Sequence, residues 1–324
     1  MKILVTAASL CKNENSDAMK RLRAFSDDLI LNGHGRPMTE DELLEIIEDV
    51  DGYIAGTDTI TAKVIEKAKK LKVISRYGAG VDSVDLAAAK AKGIPVTNTP
   101  GANSQAVAEL AFGHMLTLAR KSEYQSKMLQ DGVWVNVIGK QLQGKTLGII
   151  GYGNIGRRFA KMARGLDMRI LAYDPFLSKE FIEANQAECC TLDEIYAQAD
   201  VITVHLPLTD LSRHMINREA IAKMKDGVIL INTARGGILD EEAVYEGIES
   251  GKVWGVGLDA YEKEPPMGSK LFHHDNVVAT PHAGAHTNEA VENMANMSVD
   301  NLITILSGKE NIKAPGLSAP HRQN

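Results

Sequence analysis

The stretch Gly148 to Asp174, GIIGYGNIGRRFAKMARGLDMRILAYD, constrains the chain most, because it reads as strand, tight glycine turn, helix and second strand in direct succession. Leu147, Ile149 and Ile150 supply the apolar strand. Gly151, Gly153 and Gly156 then form G-x-G-x-x-G. The first glycine permits the turn, the second lets backbone approach a pyrophosphate, and the third lets the helix pack on the strand. The helix expected from Asn154 to about Leu166 would aim its N-terminal amides and positive dipole end at the phosphates. The strand Arg169 to Tyr173 ends in Asp174, where an acid takes the hydrogen bonds of an adenosine ribose. Pro175 and Phe176 follow in place of an Arg that could hold a 2′-phosphate, so NAD is the expected dinucleotide. By itself the glycine pattern would mean only a glycine-rich turn. Strand, helix and acid all in register point to a dinucleotide site.

The remaining chain alternates strands and helices, which implies parallel sheets covered on both faces. At 324 residues it exceeds a comfortable single core, so two domains are expected. Short strands are expected at Lys2 to Ala7, Gly52 to Ala55, Val73 to Ser75 and Ile94 to Thr97, with a helix at Thr61 to Lys70. Thr39 and Glu42 are spaced as a capping box. No glycine motif follows the first strand, so this unit is expected to carry substrate. Asn103 to Arg120 reads as one helix, apolar almost all the way round. It could run between domains, lie in a subunit interface, or be an intramolecular core helix. Strands at Val201 to His205, Val228 to Asn232, Val253 to Leu258 and Val277 to Thr280 complete the second unit, and Thr287 opens a long return helix to about Leu306. Pro315 to Asn324 is expected to be a loose polar tail. The fold class expected is α/β, two doubly wound parallel-sheet domains. A Rossmann NAD domain, 99–286, is inserted into a flavodoxin-like substrate domain, 1–98 and 287–324.

Composition excludes several classes. A net charge of −6 with both signs scattered offers no basic field for nucleic acid. The three cysteines, Cys11, Cys189 and Cys190, make neither a disulfide framework nor a C-x-x-C metal pattern. No apolar run reaches the ~18 residues of a membrane span, and Met1 to Leu10 lacks a cleavage signal. A cytoplasmic protein without membrane partners is expected.

In open parallel sheets ligands sit beyond the carboxyl ends of strands, and three such loops here carry chemistry. They are Asn232-Thr233-Ala234-Arg235-Gly236-Gly237, Asp259 to Pro266, and Thr280-Pro281-His282-Ala283-Gly284. An Arg suits a planar carboxylate through two parallel bonds. A Glu beside a His would orient the imidazole and raise its pKa, so that it could exchange a proton with a hydroxyl or carbonyl. With a nicotinamide these residues amount to a dehydrogenase of 2-hydroxy acids. Taken singly, Arg235 could be an ion-pair partner, Glu264 a solvated acid and His282 a loop histidine.

In order along the chain stand RYGAGVDSVD, ANSQAVAEL, GKTLGIIGYGNIG, AYDP, VHLPLT, INTARGGILDE, GLDAYEKEPP and TPHAGAHTNEA. By these motifs the chain resembles the D-isomer-specific 2-hydroxyacid dehydrogenases, closest to their short-form D-3-phosphoglycerate dehydrogenase branch. The resemblance implies that Arg235 holds the substrate carboxylate and that Glu264 pairs with His282, the acid/base. It implies that Asn154, Ile155 and Asp174 touch the cofactor pyrophosphate and ribose. It also places Leu206 and Pro207 by the adenosine, and Thr233, Asp259 and Gly284 toward the nicotinamide end. Backbone of Gly78, Ala79 and Gly80 would donate to the carboxylate, with Arg76 and Asn103 nearby. A homodimer through the NAD domain is implied as well, which favours the interface reading of the Asn103 to Arg120 helix.

The chain departs from that branch at Gly56, where a basic residue is often found, so one expected phosphate contact is missing. His286 stands where a small hydroxyl residue is more usual. Gly284 and Pro281 argue against His282 and His286 sharing a helix face as metal ligands, and no metal is expected. If Arg76 holds a phosphate bidentately, the reaction interconverts 3-phosphoglycerate and 3-phosphohydroxypyruvate, at the entry to serine synthesis. This is the favoured expectation. The alternative is reduction of an unphosphorylated 2-oxo acid such as glyoxylate, hydroxypyruvate or a branched-chain acid. A non-catalytic NAD-sensing module would tolerate loss of Arg235, Glu264 or His282, and all three are present.

Overall fold

A computed structural model describes residues 1–308, so the tail expected at Pro315 to Asn324 lies outside the described residues. The chain divides into two compact units. One is Met1–Asn103 together with the described residues from His286 onward, and the other is Ser104–Ala285.

The first unit is a five-stranded parallel sheet of β1 (Lys2–Val5), β2 (Asp28–Leu31), β3 (Gly52–Ala55), β4 (Val73–Arg76) and β5 (Val96–Thr97). Its order is β2-β1-β3-β4-β5, the flavodoxin-like order. β3 and β4 are buried throughout, because helices cover both faces, and their sequences YIA and VIS run apolar or small without alternation. The return helix Asn288–Leu306, capped by Thr287 on Ala290 N, lies over this sheet. A Cβ on Gly52 would sit 2.8 Å from Leu306, so glycine there lets helix and strand close together. The capping box expected at Thr39 forms: Glu42 N donates to Thr39 Oγ1, and Thr39 N donates back to the Glu42 carboxylate at 2.8 Å.

The second unit is a seven-stranded parallel sheet of β6 (Thr146–Ile150), β7 (Arg169–Tyr173), β8 (Glu188–Cys189), β9 (Val201–Val204), β10 (Val228–Asn232), β11 (Val253–Leu258) and β12 (Val277–Ala279). Its order β12-β11-β10-β9-β6-β7-β8 reverses direction between β6 and β9, which is where doubly wound sheets open a ligand crevice. One face is filled by Leu230, Val256, Ile202 and their neighbours. The other takes the helix Ser104–Arg120, whose Ala108, Ala111, Met115, Leu118 and Ala119 pack with Ile149 and Phe159. That helix therefore serves chiefly as core of its own unit. Among the described residues no helix is long and apolar enough to cross a membrane.

Candidate active site

The glycine turn lies at the carboxyl end of β6. Gly151 has φ +97, and a Cβ there would come within 2.7 Å of the His205 carbonyl, so only glycine fits. A Cβ on Gly156 would lie 2.2 Å from the Gly151 oxygen, which is the close helix–strand packing expected of the third glycine. A Cβ on Gly153 would meet nothing within 4 Å, which leaves room beside the N-terminus of the helix Asn154–Arg164 for a pyrophosphate. Asn154 is exposed and Ile155 half-buried on that first turn. Asp174, at the end of β7, accepts Tyr152 N at 2.9 Å, Phe176 N at 2.9 Å and Leu177 N at 3.2 Å. Its carboxylate thus shapes the turn at the end of β7. Leu206 is buried and Pro207 exposed after β9. The Thr233 hydroxyl, at the end of β10, is buried without a hydrogen-bond partner among the described residues, as a group awaiting a ligand would be. These residues fit a bound dinucleotide.

Three loops of this unit interlock beyond β10, β11 and β12. Asn232 folds the first, accepting Ala234 N at 3.1 Å and donating to Arg235 O at 2.8 Å. Half-buried Arg235 donates through Nη1 to Ala234 O at 2.7 Å. A Cβ on Gly236 would fall 1.7 Å from Tyr261 O, so the arginine loop lies directly on the acid loop. Tyr261 spans onward: its amide donates to Glu264 Oε1 at 3.2 Å and its hydroxyl to Thr280 O at 2.5 Å. Asp259 is 2% exposed and accepts Thr280 Oγ1 at 2.6 Å, Ala283 N at 2.7 Å and Gly284 N at 2.8 Å. It therefore clamps the histidine loop, which lets His282 hold a left-handed φ of +51.

The clamp presents His282 Nδ1 to both carboxylate oxygens of Glu264, at 3.0 and 2.9 Å. Hydrogen bonding to Glu264 raises the His282 pKa against the opposing effect of burial, with the charges of Glu264 and Asp259 adding and Arg235 subtracting. Burial would raise the Glu264 pKa, but the bond and charge of His282, the Tyr261 amide and the charge of Arg235 together outweigh it, and the net shift is downward. Both shifts favour imidazolium beside carboxylate, which leaves Nε2 as the group able to deliver a proton. Among the described residues no group of three or more His, Cys, Asp or Glu is arranged to hold a metal.

Of the residues expected to meet substrate from the first unit, Arg76 ends β4, Gly78, Ala79 and Gly80 follow it, and Asn103 stands just before the helix Ser104–Arg120. Arg76 is 6% exposed and donates through Nη1 to Ala55 O at 2.7 Å and through Nε to Gly80 O at 3.2 Å. Gly78 has φ +147 and Ala79 O accepts Asn98 Nδ2 at 2.6 Å, so the Gly78-Ala79-Gly80 backbone is fixed. The Asn103 Oδ1 atom is buried without a partner among the described residues. Tyr261, which ties the acid loop to the histidine loop, is a residue that sequence reasoning missed, since a tyrosine just inside a loop carries no pattern.

A dinucleotide turn joined to an arginine, an acid and a histidine on adjoining strand ends defines a nicotinamide-dependent oxidoreductase. Residues 112–284 match the model of the D-isomer specific 2-hydroxyacid dehydrogenase NAD-binding domain. The hydroxypyruvate reductase of Thermotoga maritima is 50% identical over 259 residues, 78% of this chain and 84% of that protein. The D-3-phosphoglycerate dehydrogenase of Methanocaldococcus jannaschii is 42% identical over 95% of this chain, which spans only 58% of that longer protein. The structure of D-lactate dehydrogenase from Aquifex aeolicus, complexed with NAD and lactic acid, superposes with a TM-score of 0.84 at 29% identity, covering 98% of this chain and 100% of that one. The chain belongs to the D-isomer specific 2-hydroxyacid dehydrogenase family, and its cofactor is NAD.

Proposed function

We propose that the chain reduces a short, unphosphorylated 2-oxo acid to its D-2-hydroxy acid, with hydroxypyruvate the first candidate. Bound NADH supplies the hydride. Arg235 grips the substrate carboxylate through two parallel bonds. His282, held at Nδ1 by Glu264, gives its Nε2 proton to the carbonyl oxygen. Asp259 keeps the histidine loop in place. Leu206, Pro207, Asn154, Ile155 and Asp174 line the cofactor, with Thr233 and Gly284 at its nicotinamide end. We place the enzyme in the cytoplasm, as a homodimer through the NAD-binding unit.

One observation carries the choice of substrate. Arg76, the cation that would hold a phosphate, is buried and committed to the carbonyls of Ala55 and Gly80. A guanidinium used this way is poorly placed to offer its planar fork to phosphate. Gly56 supplies no second cation, and a Cβ there would lie 3.0 Å from Thr6 O and 3.2 Å from the Ala7 Cα, so a larger residue would press on the backbone that follows β1. The name of the Thermotoga maritima relative agrees with this reading. NADH oxidation should show higher kcat/KM with hydroxypyruvate than with 3-phosphohydroxypyruvate. The reverse order would overturn the proposal and restore the serine-synthesis reaction, in which case Arg76→Ala should raise KM for the phosphorylated acid alone.

A further inference from the structure

Glu264 meets His282 from a loop, and a loop holds a carboxylate only as firmly as its own backbone is tied. Two consecutive amides of that loop are taken by carboxylates. Tyr261 N donates to Glu264 itself, and Glu262 N donates to Glu241 at 2.8 Å. Glu241 is the first residue of the helix Glu241–Glu249, and its own amide donates to Glu262 Oε1 at 3.2 Å. The bonds are reciprocal: each acid accepts the backbone N–H of the other. Glu262 thereby places negative charge on a helix N-terminus, where it is stabilised, while His214 Nε2 stands 3.3 Å from the same Oε1. Glu241 is half-buried, and burial pushes its carboxyl pKa upward, with the Glu262 amide opposing that shift. Two acids side by side, one of them partly desolvated, are costly unless the geometry they enforce is needed.

The rest of the acid loop shows what that geometry is. Gly236 closes on Tyr261 and Glu262 from the arginine loop, and the Tyr261 hydroxyl ties to Thr280 in the histidine loop. The bond from Glu262 N to Glu241 ties the loop one residue nearer to Glu264, and adds to the Tyr261 N bond that already reaches the Glu264 carboxylate.

We propose that Glu241 is a positioning residue for proton transfer: it clamps Glu262 N so that the Glu264 carboxylate stays on His282 Nδ1. The inference rests on the proposed role of His282 and not on the identity of the 2-oxo acid. A displacement of about 1 Å in a reacting group can cost ~10²-fold. Glu241→Ala should lower kcat by roughly tenfold, leave the KM for NADH within about twofold, and move the alkaline limb of the pH profile for reduction downward. That limb belongs to His282, whose charged neighbours are Glu264, Asp259 and Arg235. Glu241→Gln keeps an oxygen that can accept Glu262 N and should restore both kcat and the limb. Asp240→Ala serves as the control for the helix: it removes the N-cap bond to Ala243 N and should lower Tm without moving the limb. A limb left at its wild-type pH in Glu241→Ala, or Glu241→Gln as impaired as Glu241→Ala, would overturn the proposal. If His282→Ala retained full activity, the underlying assignment of the acid/base would fail instead, so the two failures are distinct.

Discussion

His282 and Glu264 lie eighteen positions apart in sequence yet within 3.0 Å at Nδ1, and each moves the other's pKa toward the ionised pair. On the proposed role of His282 as the proton donor for reduction, activity should be full below its pKa and lost as pH rises through it. Replacing Glu264 by Gln removes the leading cause of the upward shift, and the alkaline limb should therefore move to lower pH. A limb unmoved in Glu264→Gln would disprove the pairing, whereas His282→Ala should lose roughly 10²-fold or more in kcat. The same signs apply to stability. The raised His282 pKa contributes stability that is present below its unfolded value and lost as pH rises through the folded one; the lowered Glu264 pKa contributes stability above its unfolded value, lost as pH falls through the folded one. Both side chains are more than a third exposed, so these contributions are small. The residue types of this pair were legible because few side chains suit the task. Their distance and the left-handed backbone of His282 were not, since both depend on Asp259 clamping a loop from a neighbouring strand.

The three loops are elements of one block, and Gly236 is where two of them touch. An alanine Cβ there would lie 1.7 Å from Tyr261 O, a backbone atom that can yield only by moving the acid loop. Overpacking of this kind costs about 1–3 kcal/mol. Gly236→Ala should therefore lower Tm and cut kcat together, while Gly33→Ala, with nothing within 4 Å, should change neither. Equal behaviour of the two variants in thermal melts and turnover would contradict the interlocking of the loops. Regular elements were legible where periodicity or capping chemistry was strong: Thr39, Thr61 and Thr287 all cap helices, and the long helix from Ser104 keeps its apolar surround. The stretch 8–38 was not. It holds the helix Asp17–Phe25 and β2, an edge strand whose pattern is exposed to intermediate, so Leu29, Ile30 and Leu31 never form the buried run that marks an inner strand. Strand order was legible only through the fold class that the glycine turn and the alternation imply, because the pairing of β6 with β9 leaves no trace in either strand's own sequence.

At the scale of the whole molecule, the helix Ser104–Arg120 buries most of its apolar side chains in its own unit, so the proposed dimer would use other surface. The following stretch presents exposed apolar surface. Leu129, Val133, Trp134 and Ile138 are 59%, 48%, 84% and 90% exposed within a few residues of one another. Backbone bonds hold the segment in place, from Val133 N to Met128 O at 2.8 Å and from Lys140 N to Ala119 O at 2.6 Å, so its apolar side chains face outward from an anchored loop. A tryptophan and an isoleucine left almost wholly in water cost about 2 kcal/mol each in unrealised burial, and exposed clusters of this kind mark interfaces. Two copies of the segment could bury each other's side chains about a two-fold axis, the commonest oligomer symmetry. The protein should sediment as a dimer at micromolar concentration. Trp134→Arg combined with Ile138→Arg should give a monomer whose far-ultraviolet circular dichroism is unchanged, because neither side chain packs in a core. A wild-type protein that sediments as a monomer under these conditions would refute the dimer through this unit.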